Sequence, residues 1–347
     1  MRHIPSLDGI RAVSFLWVFA THATPWALPG AFGVTVFFFL SGFLITTLMR
    51  VEFERTGSVN LLHFWLRRAL RILPPFYFVI LTGVSLALAL DPPGSVDAPS
   101  TIAQLLFYAN YWGIYGHDHV ASGTRVVWSL AVEEHFYLLF PLLYVFMQKT
   151  RLPRLTQAKI LWGLCAAVLI WRCVLVLVLH TTSARIYIAT DTRVDSILFG
   201  CALALWNNPA LDAPTLKPAV WQYVLLPLAI VVLVATLLWP IGDAFALTAS
   251  FSIQGIALTA IFVCAVRYPA LPVFRVLNYR PVAFIGVLSY SLYLVHQVCL
   301  HAVARLTPTW RGWHWLVALI AAFIAASIIY ALIERPCARL RRRLTDS

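Results

Sequence analysis

The sequence predicts an all-α protein: a polytopic transmembrane helix bundle of about ten spans with both termini in the cytoplasm. Three observations carry this. Of 347 residues, 61% are hydrophobic and only 12% are charged, against about 25% charged in an average soluble domain. Such a chain cannot cover a soluble core with polar surface, and it is far too apolar to be disordered. The apolar residues fall in runs of about 17 to 25, the length that crosses a bilayer as a helix. The 22 Phe, 13 Tyr and 13 Trp suit aromatic rings at two membrane interfaces.

The expected spans lie near 9–28, 31–49, 73–90, 127–147, 159–180, 190–206, 220–239, 245–266, 282–301 and 314–333. The first follows Arg2, His3 and Arg11 as a signal peptide would. It lacks a small-residue cleavage site and a second apolar run follows at once, so it reads as a retained span. The third opens at Pro74 and Pro75, after a loop carrying Arg67, Arg68 and Arg71. Between the third and fourth runs, residues 91–126 form a long loop. Within it Ile102 to Tyr115 is apolar and aromatic but too short to span, as a re-entrant or interfacial helix would be. The fifth run encloses Arg172, for which the sequence offers no obvious partner. The last run precedes the basic stretch Arg341, Arg342 and Arg343, which suits lipid headgroups. No internal repeat is visible.

Orientation comes from the loops. With the N-terminus inside, 20 of the Lys and Arg residues fall in cytoplasmic segments and 5, Arg125, Arg185, Arg193, Arg305 and Arg311, fall outside. The net charge of +12 is therefore a topology signal, and no nucleic-acid partner is expected. Of the six cysteines, five sit in apolar runs and Cys337 lies in the basic tail. None forms a CxxC or a His/Cys cluster, so neither zinc, another metal nor disulfides are expected.

Ionisable groups inside spans cost a few kcal/mol and mark function by default. Arg11 and His22 share the first span, eleven residues and about 16 Å apart on one face. Ser129, Glu133 and Tyr137 follow at i, i+4 and i+8 on one face of the fourth; Glu134 and His135 lie on neighbouring faces. Arg193 and Asp195 open the sixth, and each needs a partner elsewhere; Asp195 is a candidate to orient a buried His. His296 stands near the outer end of the ninth, after Tyr290 and Tyr293. Arg68 and Arg71, three apart at the membrane surface, suit phosphate oxygens. The layout places cations for an anionic ligand on the cytoplasmic side, with an imidazole and a carboxylate deeper in. It suits a phosphorylated donor from one side and an acceptor from the other.

With these residues in place, the chain resembles the integral-membrane acyltransferases of acyltransferase family 3. The resemblance rests on seven blocks in order: SLDGIRAVSFLWVFATHA (Ser6 to Ala23), FFFLSGFLI (Phe37 to Ile45), FWLRRALRILP (Phe64 to Pro74), WSLAVEEHFYLLFP (Trp128 to Pro141), RVDSILFG (Arg193 to Gly200), SYSLYLVH (Ser289 to His296) and IERP (Ile333 to Pro336). It implies O-acylation of bacterial surface carbohydrates, an acyl-coenzyme A donor, acetyl as the usual acyl group, and the bacterial inner membrane. It assigns catalysis to His22, in an Arg-x10-His pattern with Arg11. It links Arg68 and Arg71 to acyl-coenzyme A, and it matches Ser129, Glu133 and Tyr137 to a Ser-x3-Glu-x3-Tyr block. Val295 and Gln297 flank His296 where relatives commonly have Trp. About a dozen residues follow the last span, so residues 1–347 are expected to form a single membrane domain without the appended extracytoplasmic domain of some relatives.

The implied reaction is acyl transfer from a thioester to a hydroxyl. Neutral His22 would take the acceptor's proton. Glu133 and Asp195 are both candidates to hold its tautomer, and Ser129 and Tyr137, with His296, are candidates for the oxyanion or substrate. Arg68, Arg71 and Arg11 would bind the coenzyme A phosphates. An acyl-His intermediate is an open alternative, as is the glycan acceptor. The rival from another class is a proton-coupled transporter or flippase, for which repeats and broken helices would speak.

Overall fold

The computed structural model describes residues 4–24, 29–117, 119–238, 242–307 and 312–346. Arg2, His3, Arg311, the last residues of the expected first span and the end of the seventh lie outside the described residues, as does the Arg343 side chain. No strand occurs among the described residues. In chain order the helices are α1 (Pro5–Ala23), α2 (Ala31–Thr56), α3 (Leu61–Leu90), α4 (Ala98–Leu105), α5 (Ala109–Ile114), α6 (Trp128–Lys149), α7 (Arg154–Cys173), α8 (Ser183–Ile188), α9 (Thr190–Trp206), α10 (Pro218–Val220), α11 (Leu226–Leu238), α12 (Asp243–Leu247), α13 (Ala249–Arg267), α14 (Pro272–Arg275), α15 (Arg280–Leu306), α16 (His314–Ile329) and α17 (Arg335–Asp346). π-helical turns at Val174–Val178, Trp221–Leu225 and Tyr330–Glu334 extend α7, join α10 to α11 and join α16 to α17. Among the described residues, 8 helical stretches are long and apolar enough to cross a membrane, and the chain is a multi-pass membrane protein. The two other runs expected to span fall on α1 and the 17-residue α9, which are not among those eight.

One expectation is corrected. Arg67, Arg68 and Arg71 do not sit in a loop before a turn. They lie on the first turns of α3, which begins at Leu61 and continues through Pro74 and Pro75. Asn60 caps it by accepting from the His63 N–H at 3.0 Å. The prolines remove the two N–H donors that would have bonded the Leu70 and Arg71 carbonyls; one residue on, the Tyr290 hydroxyl donates to the Ile72 carbonyl at 2.8 Å. The helix therefore continues through a sequence that reads as a boundary.

The described residues form two compact units, to both of which α1, α6 and α15 contribute. The first holds residues 1–18, 28–59 and 141–287. Its centre is α9, buried almost all round, against α2. A Cβ on Gly42 would stand 2.0 Å from the Ile197 carbonyl oxygen, and one on Gly200 would stand 2.0 Å from that of Phe39. Only glycine permits this approach, the small-residue packing typical of membrane helices.

The second unit holds residues 19–27, 60–140 and 288–347. The segment expected to be re-entrant or interfacial breaks into α4 and α5. Asp97 caps α4 by accepting from the Ser100 N–H at 2.7 Å. Gln104 of α4 donates to the Thr124 hydroxyl at 2.9 Å, fastening the loop just before α6. α17 packs along α3.

Candidate functional site

The second unit gathers most of the expected site residues. Its polar groups come from the last turn of α1 (His22), from α3 (Arg68, Arg71), from α6 (Ser129, Glu133, Glu134, Tyr137) and from α15 (Tyr290, Ser291, Tyr293, His296). Helical spacing explains the sets. Ser129, Glu133 and Tyr137 are four apart, and Tyr290, Tyr293 and His296 are three apart, so each set stays near one face.

At one end, His22 meets His296. Nδ1 of His22 lies 3.3 Å from Nε2 of His296, with ring centroids 5.3 Å apart. His296 is fully buried, and its Nδ1 lies 2.7 Å from the Tyr293 carbonyl oxygen. A carbonyl only accepts, so the neutral His296 ring carries its proton on Nδ1 and presents Nε2 as an acceptor. His22 then donates from Nδ1, which leaves its own Nε2 unprotonated and basic. The carbonyl of one helix sets the tautomer of the next imidazole.

The Ser129 and Tyr293 hydroxyls lie 2.7 Å apart beside this pair. Each also reaches the Val126 carbonyl, at 3.2 Å. Whichever hydroxyl donates to the other, the second donates to Val126, so both protons are engaged. Two turns further along α6, the Tyr137 hydroxyl donates to Glu133 at 3.0 Å. The oxyanion role expected of Ser129 and Tyr137 therefore has no spare proton in this arrangement.

At the other end, the Arg68 guanidinium lies 5.8 Å from the centroids of both the Tyr137 and Phe64 rings, a cation–π distance. Glu134 lies within electrostatic reach of Glu133 and Arg68, and its Oε1 is buried without a hydrogen-bond partner. Tyr290 lies in the fields of Glu133, Glu134, Glu334 and Arg71. Ser291 donates to Glu334. Eight residues of α6 separate Ser129 from Tyr137, and six of α15 separate Tyr290 from His296. At about 1.5 Å per residue, the guanidinium end stands roughly 9 to 12 Å from the imidazole end. Sequence spacing hinted at Tyr290 and Tyr293 but not at Ser291, Glu334 or the His22–His296 contact. Partners 274 residues apart leave no local signal.

Two expected residues belong to the first unit. Asp195 is fully buried and receives both terminal nitrogens of the equally buried Arg172, at 2.8 and 2.7 Å. The Ser252 hydroxyl and the Ser196 N–H donate to it as well, each at 2.9 Å. Arg172 thus has the partner that the sequence did not reveal. It also bonds the Thr192 and Thr248 carbonyls, at 2.7 and 3.1 Å. Arg11 forms an ion pair with Asp8 at 2.7 Å. Among the described residues, no group of three or more His, Cys, Asp or Glu is gathered as a metal would require.

The acyltransferase domain family Acyl_transf_3 matches residues 4–332. An O-acetyltransferase OatA of Staphylococcus aureus is 30% identical over 351 residues, 96% of this chain and 57% of the relative. A peptidoglycan O-acetyltransferase OatA of Listeria monocytogenes is 30% identical over 355 residues, 96% of this chain and 56% of the relative. The chain thus spans little more than half the length of these relatives. No solved structure matches significantly.

Proposed function

The chain belongs to this family of acyltransferase domains, and from that premise we propose that it is a membrane O-acyltransferase. It moves an acyl group, acetyl in the first instance, from cytoplasmic acyl-coenzyme A to a carbohydrate hydroxyl outside the bacterial inner membrane. The name of the Listeria relative makes a peptidoglycan hydroxyl the first acceptor to test. The Lys and Arg distribution supports ten spans, with α1 and α9 completing the eight, and both termini in the cytoplasm.

The observation that carries the reading is the His22–His296 contact. His22, held as the Nδ1–H tautomer, accepts the hydroxyl proton at Nε2 as the hydroxyl oxygen attacks the thioester carbonyl. A C–O bond forms, the C–S bond breaks, and the proton passes to the departing thiolate. The products are the ester and free coenzyme A. His296 orients His22 and, by accepting from Nδ1–H, stabilises the imidazolium that forms. Ser129 and Tyr293 hold α6 to α15 beside the pair. Glu133, bonded by Tyr137 near Arg68, balances charge toward the donor end. Arg68 and Arg71 take donor phosphates as bidentate forks. The span of about 9 to 12 Å between the two ends is one that a pantetheine arm can bridge. Asp195 serves Arg172 as scaffold, and Arg11 serves Asp8.

The test is mass spectrometry of surface glycans from a strain lacking the gene, complemented with wild type or His22→Ala. A glycan ester that disappears, returns with wild type and stays absent with His22→Ala is expected. An ester restored by His22→Ala overturns the base. Uptake of a glycan precursor into vesicles without any acylated product establishes a transporter instead.

A further inference from the structure

The basic tail divides its arginines between two faces of one helix. From the π-helical turn into α17, Glu334, Cys337, Ala338 and Arg341 are half-buried, while Arg335, Arg339 and Arg342 are exposed. The half-buried set falls at i, i+3, i+4 and i+7, a helical face, and α17 packs against α3. Arg341 stands within electrostatic reach of three further guanidiniums, those of Arg71, Arg342 and Arg67, and of the Glu334 carboxylate. Glu334 is itself bonded by Ser291 of α15. The Glu334 carboxylate offsets part of the repulsion at this half-buried arginine. A helix that served lipid headgroups alone would still gain nothing from holding it within reach of two like charges on a neighbouring helix. Like charges held within Coulomb range repel, and an anion between them reverses the sign.

We propose that Arg341 completes, with Arg67 and Arg71, a site for a multiply phosphorylated nucleotide, the phosphate-bearing end of the thioester donor. This rests on the donor reading above and extends it to the C-terminal helix. The exposed Arg335, Arg339 and Arg342 stay with lipid headgroups. Two or more phosphates suit several guanidiniums converging from two helices, where a single phosphate is served by one pair. The shared chemistry is the phosphate oxygen, and the inward face assigns it to the nucleotide.

The probe is coenzyme A, titrated calorimetrically into the full-length protein in nanodiscs of neutral phosphatidylcholine. Arg341→Gln should weaken binding roughly tenfold, as loss of a charge-assisted contact does. Arg339→Gln, with the same loss of charge on the exposed face, should stay within about twofold. Arg341→Lys keeps the charge and loses the fork, so it should recover only part. It also serves as the readout if Arg341→Gln fails to accumulate. Equal effects at positions 341 and 339 overturn the inference, reducing it to net charge. So does a wild-type response of Arg341→Gln to coenzyme A with a loss confined to phosphatidylglycerol nanodiscs, which makes the site a headgroup contact. If Arg68→Gln abolishes binding and Arg341→Gln does not, only this inference falls. If the wild type binds no coenzyme A, the donor reading falls with it.

Discussion

Nδ1 of His22 stands 3.3 Å from Nε2 of His296, whose other nitrogen is tied to the Tyr293 carbonyl at 2.7 Å. Replacing His296 with Leu removes the acceptor that holds the His22 tautomer. It should lower kcat about 10²-fold, within the usual range for acid–base assistance, and leave the donor KM unchanged. Gln at this position offers a carbonyl oxygen to the same Nδ1–H and should recover part of the loss. Steady-state kinetics of the three proteins decide this; a Leu variant with wild-type kcat removes His296 from the scheme.

The Arg172–Asp195 pair is fully buried. Asp195→Asn leaves a guanidinium without its counter-charge and should cost about 3 to 5 kcal/mol, while replacing both members by apolar residues should cost less. Thermal unfolding in detergent reads this as a lowered Tm for the single variant and partial recovery for the double. An Asp195→Asn protein with normal Tm and no transfer would return Asp195 to the chemistry, the role its position in the sequence first suggested.

Helix contact at Gly42 leaves no room for a Cβ, whereas Gly113 has open space around it. Gly42→Ala should sharply reduce folded protein in the membrane fraction, and Gly113→Ala should not. Quantitative blotting after fluorescence-detected size exclusion separates the two. Equal yields would show that α2 and α9 can part at little cost.

Asp97 is held below the usual carboxylate range, chiefly by the backbone N–H of Ser100 and then by its hydroxyl. A carboxylate whose pKa is lowered on folding stabilises the fold at neutral pH. That support is lost as pH falls from the unfolded value, near 3.9, through the lower folded one. Hydrogen exchange at Ser100 and Thr101 should therefore stay protected at neutral pH and lose protection only in strong acid. Asp97→Ala should lose it at neutral pH, and an unchanged exchange rate in that variant would deny the cap.

Arg68 lies over the Tyr137 ring, and Tyr137 holds Glu133. Arg68→Ala should raise the acetyl-coenzyme A KM several-fold with kcat less affected, the pattern of lost ground-state binding. Tyr137→Phe, which frees Glu133 without removing the ring, should leave that KM near wild type. Reversed effects would place the donor elsewhere.

The membrane class, the existence of the helices and the faces bearing Ser129, Glu133 and Tyr137 were legible in the sequence, because run length and helical period are local properties. The proline pair at 74 and 75 misled for the same reason: local rules place a boundary there, and the helix runs through both prolines. Only the tertiary structure decided which polar group answers which. It gave His22 an imidazole where the sequence offered two carboxylates, gave Asp195 to Arg172, and turned one arginine of the basic tail inward. In lipid every buried charge and donor needs a partner, but which one it finds is settled by helices meeting hundreds of residues apart, and no periodicity along the chain encodes that.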